Sequence, residues 1–413
     1  MKKNKSNNIF YGWYIVIAGT FAMSISSGIN YHGFGNLFLP LSNEFGWSRT
    51  RISSVFSLAR LENGILGPID GYLIDRFGPR AVILVGVPIM GIGYILLSQI
   101  NGFLSFSIVY ILGITIGSGT LHVPIQTAVA NWFNKKRGLA FGIMWSGVGI
   151  GGMIVPLYGW GIELFGWRET SIYIGIIVIL IGIPCGLIMR HNPYKYGQYP
   201  DGFKVSEDQS SKIKLTDSFD FTPKEALSSS SFWLLTFATG LRILLTSGVS
   251  LHLVPYFVDL GIDPVTAAVF AGSVGVISIP GRFGLSAVGD HFNKRYILMF
   301  SMLLLSISVL ILSYVNSLNG AIIALILYSF AQGGSAVVPN AIMADYFGTK
   351  HYGTIMGFRS IVVTFGVILG PIISGATFDN YGSYQLAFFG FAIVNFIGFI
   401  MIIYSRPPKR SNA

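Results

Sequence analysis

Charged residues are scarce in this chain of 413 residues: Asp, Glu, Lys and Arg together make up 11%, whereas 52% of the residues are hydrophobic. A soluble domain carries roughly 25% charged residues, so this chain lacks the polar groups that would cover a water-facing surface. Disorder is excluded as well, because disordered segments combine low hydrophobicity with high net charge. The composition therefore predicts a membrane protein.

Cysteine is nearly absent, and so are the patterns of catalytic sites. The single cysteine, Cys185, can form neither an intrachain disulfide nor a cysteine-based metal site. The sequence contains no nucleotide-binding loop, no metal-ligand spacing and no Ser–His–Asp or paired-aspartate pattern. We therefore expect no cofactor, no metal site, no enzymatic activity and no ATP-driven transport.

Long apolar runs are what the sequence has in abundance. A transmembrane helix needs about 20 apolar residues. The chain has twelve such runs, numbered here as spans 1 to 12: 13–39, 50–74, 81–100, 103–131, 138–162, 169–190, 231–258, 264–288, 296–315, 320–344, 353–378 and 384–405. Span 1 is too long for the core of a signal peptide, so we expect it to be retained. The predicted fold class is an all-α membrane protein with twelve transmembrane helices.

A polar segment at 191–230 divides the spans into two groups of six. We interpret it as a linker between an N-terminal bundle, 1–190, and a C-terminal bundle, 231–413. Landmarks recur between the halves at constant offsets. Trp13, Gly28 and His32 match Trp233, Gly248 and His252 after 220 positions, and Asp75, Pro124, Gly138 and Pro156 match Asp290, Pro339, Gly353 and Pro371 after 215. Offsets held over several spans indicate duplication, so the sequence predicts two six-helix pseudo-repeats.

Basic residues are distributed unequally between the two sides of the predicted bundle. Of the 27 lysines and arginines, Arg49, Arg51 and Arg168 lie on one side, Arg60, Arg242, Arg282 and Arg359 lie within spans, and the remaining twenty lie on the other side. Because Lys and Arg accumulate in cytoplasmic loops, we expect both termini and the linker to be cytoplasmic, in a plasma (inner) membrane. This topology accounts for the net charge of +10, so nucleic acid is not an expected partner.

The turn between spans 2 and 3 carries the most specific motif, Gly71-Tyr72-Leu73-Ile74-Asp75-Arg76-Phe77-Gly78-Pro79-Arg80. It resembles the loop motif G-x-x-x-D-R-x-G-x-R of the major facilitator superfamily, whose transporters rock two six-helix bundles around a central site. The resemblance implies that Gly71, Asp75, Arg76, Gly78 and Arg80 act in conformational change. We expect the carboxylate to face a helix N-terminus and the arginine to bridge to a neighbouring span. The second copy is degraded, with Ser286, His291 and Asn293 at three of its motif positions.

The entry into span 5 carries a second motif, Trp132-Phe133-Asn134-Lys135-Lys136-Arg137-Gly138-Leu139-Ala140-Phe141-Gly142. It resembles the corresponding motif of monocarboxylate transporters, and Tyr11-Gly12-Trp13 resembles their motif in span 1. A basic loop followed by a glycine packing face is the alternative interpretation. The bacterial oxalate/formate antiporter group shares these features. The resemblance covers nearly the whole chain and implies a transporter of small organic anions.

Ionisable side chains within spans are functional candidates, because each costs about 3 kcal/mol at the bilayer centre on insertion scales. They are Arg60, Glu62, Arg242, Arg282 and Arg359, together with His32, His122 and His252. Glu62 neutralises at most one arginine, so at least two need carbonyls, water or an anionic substrate. Arg60, Glu62 and Arg242 are possible cavity charges, and Arg60 with Glu62 is alternatively part of a structural network.

Arg282 and Arg359 form the best predicted pair. Each is about six residues, or roughly 9 Å, from the basic side of its span, so the two share a depth. Arg282 matches the arginine that monocarboxylate transporters use for the substrate carboxylate. Arg359 stands where the oxalate/formate group has a lysine, at the end of the similar stretch 351–359. A guanidinium grips a carboxylate with two parallel hydrogen bonds, although an arginine near a span end also simply snorkels.

The histidines and one serine bear on proton coupling. His32 falls where monocarboxylate transporters have a substrate-contacting lysine, and His252 is its counterpart in the second half. Each is a proton carrier near neutral pH or a hydrogen-bonded structural residue, and His122 is interpreted as structural. Ser278 stands where many monocarboxylate transporters have an aspartate used in proton coupling, which puts coupling through an acid at this position in doubt.

These features together predict a secondary active transporter of small organic anions, mono- or dicarboxylates, that works by alternating access as a proton symporter or an anion exchanger. The predicted substrate contacts are Arg282, Arg359, His32 and His252. The expected partners are the anion, a proton or counter-anion and the lipid bilayer, with the monomer as the functional unit. The alternatives are a transporter of an uncharged or zwitterionic solute and a non-transporting membrane sensor on the same fold.

Overall fold

The structure is a computed structural model that describes residues 9–47, 49–202, 220–315 and 317–408. Within these ranges all regular secondary structure is helical. In chain order the α-helices are Tyr11–Ser26, Phe38–Phe45, Arg49–Phe77, Pro79–Leu97, Phe103–Ile108, Ile116–Trp132, Arg137–Gly151, Val155–Ile188, Pro223–Ser228, Ser230–Asp259, Pro264–Pro280, Ser286–Val288, Lys294–Tyr314, Leu318–Phe347, Tyr352–Tyr381 and Gln385–Tyr404. π-Helical turns at Ser27–His32, Val109–Thr115 and Gly281–Leu285 continue spans 1, 4 and 8.

The helices account for all twelve predicted spans. Ten stretches are long and apolar enough to cross a membrane, and one of them, Arg137–Ile188, has 52 residues. That stretch turns at Gly166, where φ is 77°, a value incompatible with an α-helix. It therefore comprises two spans, span 5 and span 6. Span 2, Arg49–Phe77, is not among the ten because it is less apolar. The chain is therefore a multi-pass membrane protein.

The modest apolarity of span 2 follows from its place inside the bundle. It packs lengthwise against span 11 of the other half, and glycines on both helices allow the backbones to touch. A Cβ added at Gly71 would overlap the carbonyl oxygen of Gly353, and one at Gly67 would lie 2.9 Å from the carbonyl oxygen of Gly357. A helix that meets protein rather than lipid on this face does not need a continuous apolar surface.

Spans 5 and 8 make the second contact between the halves. A Cβ at Gly142 would lie 2.7 Å from the carbonyl oxygen of Arg282, and one at Gly149 would lie 3.1 Å from that of Gly275. The end of the bundle that carries the turns after spans 2, 4, 8 and 10 is called here the basic end. Both contacts between the halves extend from the basic end to about the middle of the spans. The cross-half hydrogen bonds among the described residues all lie in this same part of the bundle.

The buried apolar residues show the same asymmetry. The larger of two clusters fills the N-terminal half and continues into the basic-end part of the C-terminal half, through residues such as Phe232, Leu298 and Phe347. The smaller cluster, which includes Leu245 and Phe388, is confined to the C-terminal half. The halves are thus joined at the basic end. The centre of the predicted linker, 203–219, lies outside the described residues, and the boundaries at 190 and 231 stay a prediction.

We predict that Gly71→Ala opens the basic end, because its methyl group has no room against the backbone of span 11. Overpacking of this kind costs about 1–3 kcal/mol, which shifts the opening equilibrium about 5- to 150-fold. The measurement is maleimide labelling of Ser286→Cys, a buried position at the interface, in a Cys185→Ala background. The control is Gly272→Ala in span 8, where a Cβ has open space. Equal labelling rates in both variants would contradict the prediction.

Candidate functional site

Three buried arginines from three spans of the C-terminal half lie at the centre of the candidate site. Arg242 of span 7, Arg282 of span 8 and Arg359 of span 11 are 5%, 9% and 5% exposed. Arg242 is within electrostatic reach of both of the others. Arg242, predicted only as a possible cavity charge, thus joins the pair predicted from depth.

Local backbone irregularity positions Arg282. It lies in the π-helical turn Gly281–Leu285, directly after Pro280. A Cβ at Gly281 would overlap the carbonyl oxygen of Phe330, so this turn is pressed against span 10. From there the Nη1 atom of Arg282 donates a hydrogen bond of 2.8 Å to the carbonyl oxygen of Trp145, in span 5 of the other half.

Arg359 is held by a neutral side chain rather than an acid. Its Nη1 atom donates to Oδ1 of Asn340 at 2.6 Å, and the carbonyl oxygen of Asn340 accepts a hydrogen bond of 3.2 Å from the hydroxyl of Tyr352. Asn340 also anchors its own amide group to the carbonyl oxygen of Ala336 at 3.1 Å. The asparagine therefore fixes the guanidinium without neutralising it.

The charge of this arginine cluster is not compensated within the described part of the chain. None of Arg242, Arg282 and Arg359 forms an ion pair there. The Nε atom of each is buried and has no hydrogen-bond acceptor among the residues that the structure describes. Because a buried charge without a partner is costly, the arrangement is chemically suited to an anion that offers several oxygen acceptors.

The N-terminal half contributes aromatic and basic groups to the same region. The ring centroid of His122 lies 6.5 Å from that of Trp145, whose indole nitrogen is buried and unpaired in the described residues. Arg60 lies over the ring of Phe56 at 4.6 Å and interacts electrostatically with His122 and Tyr110. The side chains of Glu62 and His32 lie outside the described residues.

His252 lies apart from the arginine cluster. Its Nδ1 atom is 3.2 Å from the hydroxyl of Tyr384, and its Nε2 atom is 3.2 Å from the carbonyl oxygen of Pro371. Both ring nitrogens are therefore occupied within the C-terminal half. Of the four residues predicted as substrate contacts, the structure places Arg282 and Arg359 in one region and does not bring His252 to them.

Two aspartates connect the halves at the basic end. Asp75 accepts hydrogen bonds from the backbone N–H groups of Gly353 and Thr354, at 3.0 and 2.8 Å, and from the Thr354 hydroxyl at 2.7 Å. Asp290, its counterpart in the repeat, accepts from the N–H groups of Gly138 and Leu139 at 2.6 and 2.7 Å. Each carboxylate caps the first turn of a helix in the opposite half, where it meets the positive end of the helix dipole.

The Asp290 cap is fully formed although the motif around it is degraded. Burial raises the pKa of Asp290 above its ordinary value, while hydrogen bonds from Leu139 and Gly138 and the charge of Lys294 oppose this shift. The cap needs only a carboxylate and two N–H groups, so the loss of the motif arginine and glycine does not affect it.

The expected bridge from the motif arginine is made by a different residue. Arg76 is exposed and donates to the hydroxyl of Tyr72, one turn earlier on its own helix, at 3.1 Å. Neighbouring residues of a helix point to different sides, so Arg76 cannot follow Asp75 into the interface. Buried Arg137 of span 5 instead forms an ion pair with Asp345 of span 10. The Nζ atom of Lys294 forms a second ion pair with the same carboxylate, at 2.7 Å from Oδ2.

The ends of the linker support the same two helix starts. Asp201 accepts from the N–H groups of residues 134, 135 and 136 at 2.7–3.1 Å. Asp220 accepts from the N–H groups of Thr349 and Lys350 at 2.9 and 3.2 Å. Each entry into span 5 or span 11 is thus held by two carboxylates, one from the linker and one from the other half.

Sequence reasoning missed several residues of this region: Trp145, Arg137, Asn340 and Asp345. Trp145 contributes a backbone carbonyl, which any residue type carries. Arg137 is one of three consecutive basic residues in the motif before span 5, and its partner is 208 positions away. The available signals were the position of Asn340 next to Pro339 and that of Asp345 near the end of an otherwise apolar span.

Two related six-helix halves, joined at one end around a buried cationic site, define a class of membrane transporter. The family model described as Major Facilitator Superfamily matches residues 16–319 and 283–413, and the chain belongs to this superfamily.

Individual relatives are similar to this chain at low identity. Monocarboxylate transporter 13 of Bos taurus is 22% identical over 92% of this chain and 85% of its own length. The oxalate:formate antiporter of Oxalobacter formigenes is 25% identical over 96% and 91%. The crystal structure of the human organic anion transporter MFSD10 (TETRAN) superimposes with a TM-score of 0.75 at 15% identity, covering 95% of this chain and 99% of that one. The relatives and the fold are those of transporters.

We predict that Asp290→Asn opens the basic end as readily as Asp75→Asn does. Each substitution replaces a charged cap by a neutral one, which costs about 1–2 kcal/mol and shifts the equilibrium about tenfold. Labelling of Ser286→Cys in the Cys185→Ala background measures it, with the exposed Asp259→Asn at the opposite end as the control. If Asp290→Asn labels like the control while Asp75→Asn does not, the two caps are not equivalent.

Proposed function

We propose that this protein is a secondary active transporter of small organic anions, of the mono- or dicarboxylate class. The arrangement of Arg242, Arg282 and Arg359, buried and without carboxylate partners among the described residues, carries the proposal. An uncharged substrate would leave the net charge of these arginines uncompensated in the membrane interior. The similarity to monocarboxylate transporter 13 and to the oxalate:formate antiporter supports the same substrate class.

Arg282 and Arg359 are the proposed anchors for the carboxylate groups. A guanidinium presents a planar fork of N–H donors that matches a carboxylate, and both residues have a buried Nε atom that is unpaired within the described ranges. Arg242 lies farther from the basic end than the other two arginines do. It adds a third positive charge, which favours a second carboxylate on the substrate. His32 is a further proposed contact.

The hydrogen bond from Arg282 to Trp145 is the proposed link between binding and conformational change. It connects the two halves next to the site. A substrate carboxylate is a stronger acceptor for a guanidinium than a backbone carbonyl is, so binding competes with this contact. Release of Trp145 weakens the interface between spans 5 and 8 and allows the halves, proposed as 1–190 and 231–413, to rock.

The basic end is proposed to face the cytoplasm, because Lys and Arg accumulate there. Both termini and the linker are then cytoplasmic, in a plasma (inner) membrane, and the described conformation is closed towards the cytoplasm. Proton symport and anion exchange are both compatible with the site. The buried Ser278 carries no charge, so a coupling proton would reside on a histidine such as His32.

The proposed function is tested by thermal unfolding of the purified protein in a panel of mono- and dicarboxylates, followed by counterflow uptake in proteoliposomes with and without a pH gradient. We expect saturable stabilisation by at least one carboxylate and exchange of the same compound. Stabilisation by neutral or zwitterionic solutes alone would support the alternative transporter. Indifference to all solutes would support a sensor.

We predict that Arg282→Lys and Arg359→Lys each lower counterflow about 10- to 100-fold while the protein still inserts and folds. Lysine keeps the charge but loses the bidentate geometry, and a hydrogen bond to a charged group contributes about 1.5–3 kcal/mol. The matched control is the same change at the exposed Arg406, for which we expect uptake close to that of the unchanged protein. Near-normal uptake by Arg282→Lys would exclude its role as a carboxylate anchor.

A further inference from the structure

A second cationic site lies at the basic end of the N-terminal half, away from the arginine cluster. It is a cavity of about 340 Å³ between the turn that joins spans 2 and 3 and the chain that follows span 6. Its basic side chains are Arg80, Arg190 and Lys195, and the described residues that line it include no aspartate or glutamate. The proposed transport cycle assigns no role to this excess of positive charge.

The guanidinium group of Arg190 is positioned by two aromatic rings. Its guanidinium carbon lies 3.8 Å from the ring centroid of Tyr11 and 4.1 Å from that of Tyr196, so the group is stacked between two aromatic faces. Stacking occupies the faces of a guanidinium and leaves the N–H groups along its edge for an anion.

His191 and the start of span 3 add polar groups to the same cavity. The imidazole packs over Gly78, which has φ of 83° and leaves room for the ring, and its Nδ1 atom is buried without a hydrogen-bond partner in the described chain. Burial and the charge of Lys195 lower the pKa of His191. Arg80 begins the first turn of the helix Pro79–Leu97, whose N-terminus also favours an anion.

The other side of the cavity is apolar and continues along the membrane-facing surface. Leu84 and Met189 line it, and Phe77 at its edge is 59% exposed. On the side of the cavity that faces the middle of the membrane, spans 3 and 6 pack closely against each other. They leave apolar side chains such as Val85, 63% exposed, and Leu187, 47% exposed, on the outside.

From this combination we infer that the cavity binds the phosphate of an anionic glycerophospholipid, with the acyl chains lying along spans 3 and 6. Basic pockets between transmembrane helices, at the level of the head groups, are suited to such lipids. A free phosphate would use the basic groups but would gain nothing from the exposed apolar surface beneath them. The inference depends on the location of the site in the membrane and not on the identity of the transported anion.

The test compares lipid binding to the delipidated full-length protein in detergent. Thermal unfolding is measured against phosphatidylglycerol and against phosphatidylcholine with the same acyl chains, and retained lipid is counted by native mass spectrometry. We expect saturable stabilisation and one retained molecule with phosphatidylglycerol only. The double variant Arg80→Ala, Lys195→Ala should weaken its binding about 10- to 30-fold, since each basic group near the surface contributes about 1 kcal/mol.

Two further proteins make the result specific. Lys224→Ala with Arg406→Ala removes the same charge from exposed positions at the same end, and its affinity should stay close to that of the unchanged protein. Lys195→Glu, a reversal at one exposed residue, should weaken binding even if the double variant folds poorly. Three outcomes overturn the inference: unchanged lipid affinity in Lys195→Glu, an equal loss in the control pair, or stabilisation by inorganic phosphate or glycerol 3-phosphate as strong as that by the lipid.

Discussion

The two halves of this protein are held together by carboxylates placed on the N-termini of helices in the opposite half. Asp75 and Asp290 each reach two backbone N–H groups of a first helical turn, in a buried setting where such hydrogen bonds are strong. The caps require backbone contact, which is why Gly71, Gly138 and Gly353 have no room for a side chain. Arg359 lies on the same helix as the capped Gly353, so a movement that breaks this cap also moves the proposed site.

The arginine cluster places a second constraint on the same spans. The guanidinium group of Arg242 is repelled by those of Arg282 and Arg359. Within the described chain only neutral acceptors meet Arg282 and Arg359, namely the carbonyl oxygen of Trp145, Oδ1 of Asn340 and Sδ of Met356. Neutral acceptors orient a charge but leave it uncompensated. The proposed anion would therefore gain both from Coulomb attraction and from donors that are already oriented.

The sequence was sufficient for features that depend on composition, since twelve spans follow from hydrophobic length. The shared depth of Arg282 and Arg359 stays a prediction, made from their equal distances to the basic ends of antiparallel helices. Span 2 is predicted at 50–74 as an apolar run, and the structure gives it as the helix Arg49–Phe77. The pairing of Arg137 with Asp345 was not predictable, because both belong to abundant residue types and nothing in either neighbourhood indicates a contact across 208 positions. The repeat predicts His252 as a second substrate contact, whereas its two ring nitrogens lie 3.2 Å from the hydroxyl of Tyr384 and from the carbonyl oxygen of Pro371.

The reciprocity of the two caps has a consequence for the origin of the fold. Asp75 binds the start of span 11 and Asp290 binds the start of span 5, and these partners are equivalent in the repeat. In a symmetric homodimer, the same relation is an isologous contact, in which residue i of one copy meets residue j of the other and j meets i. A six-helix ancestor with one aspartate and one glycine at these places would already have joined two copies of itself at the basic end. After gene fusion, each half could lose motif residues that the other half retained.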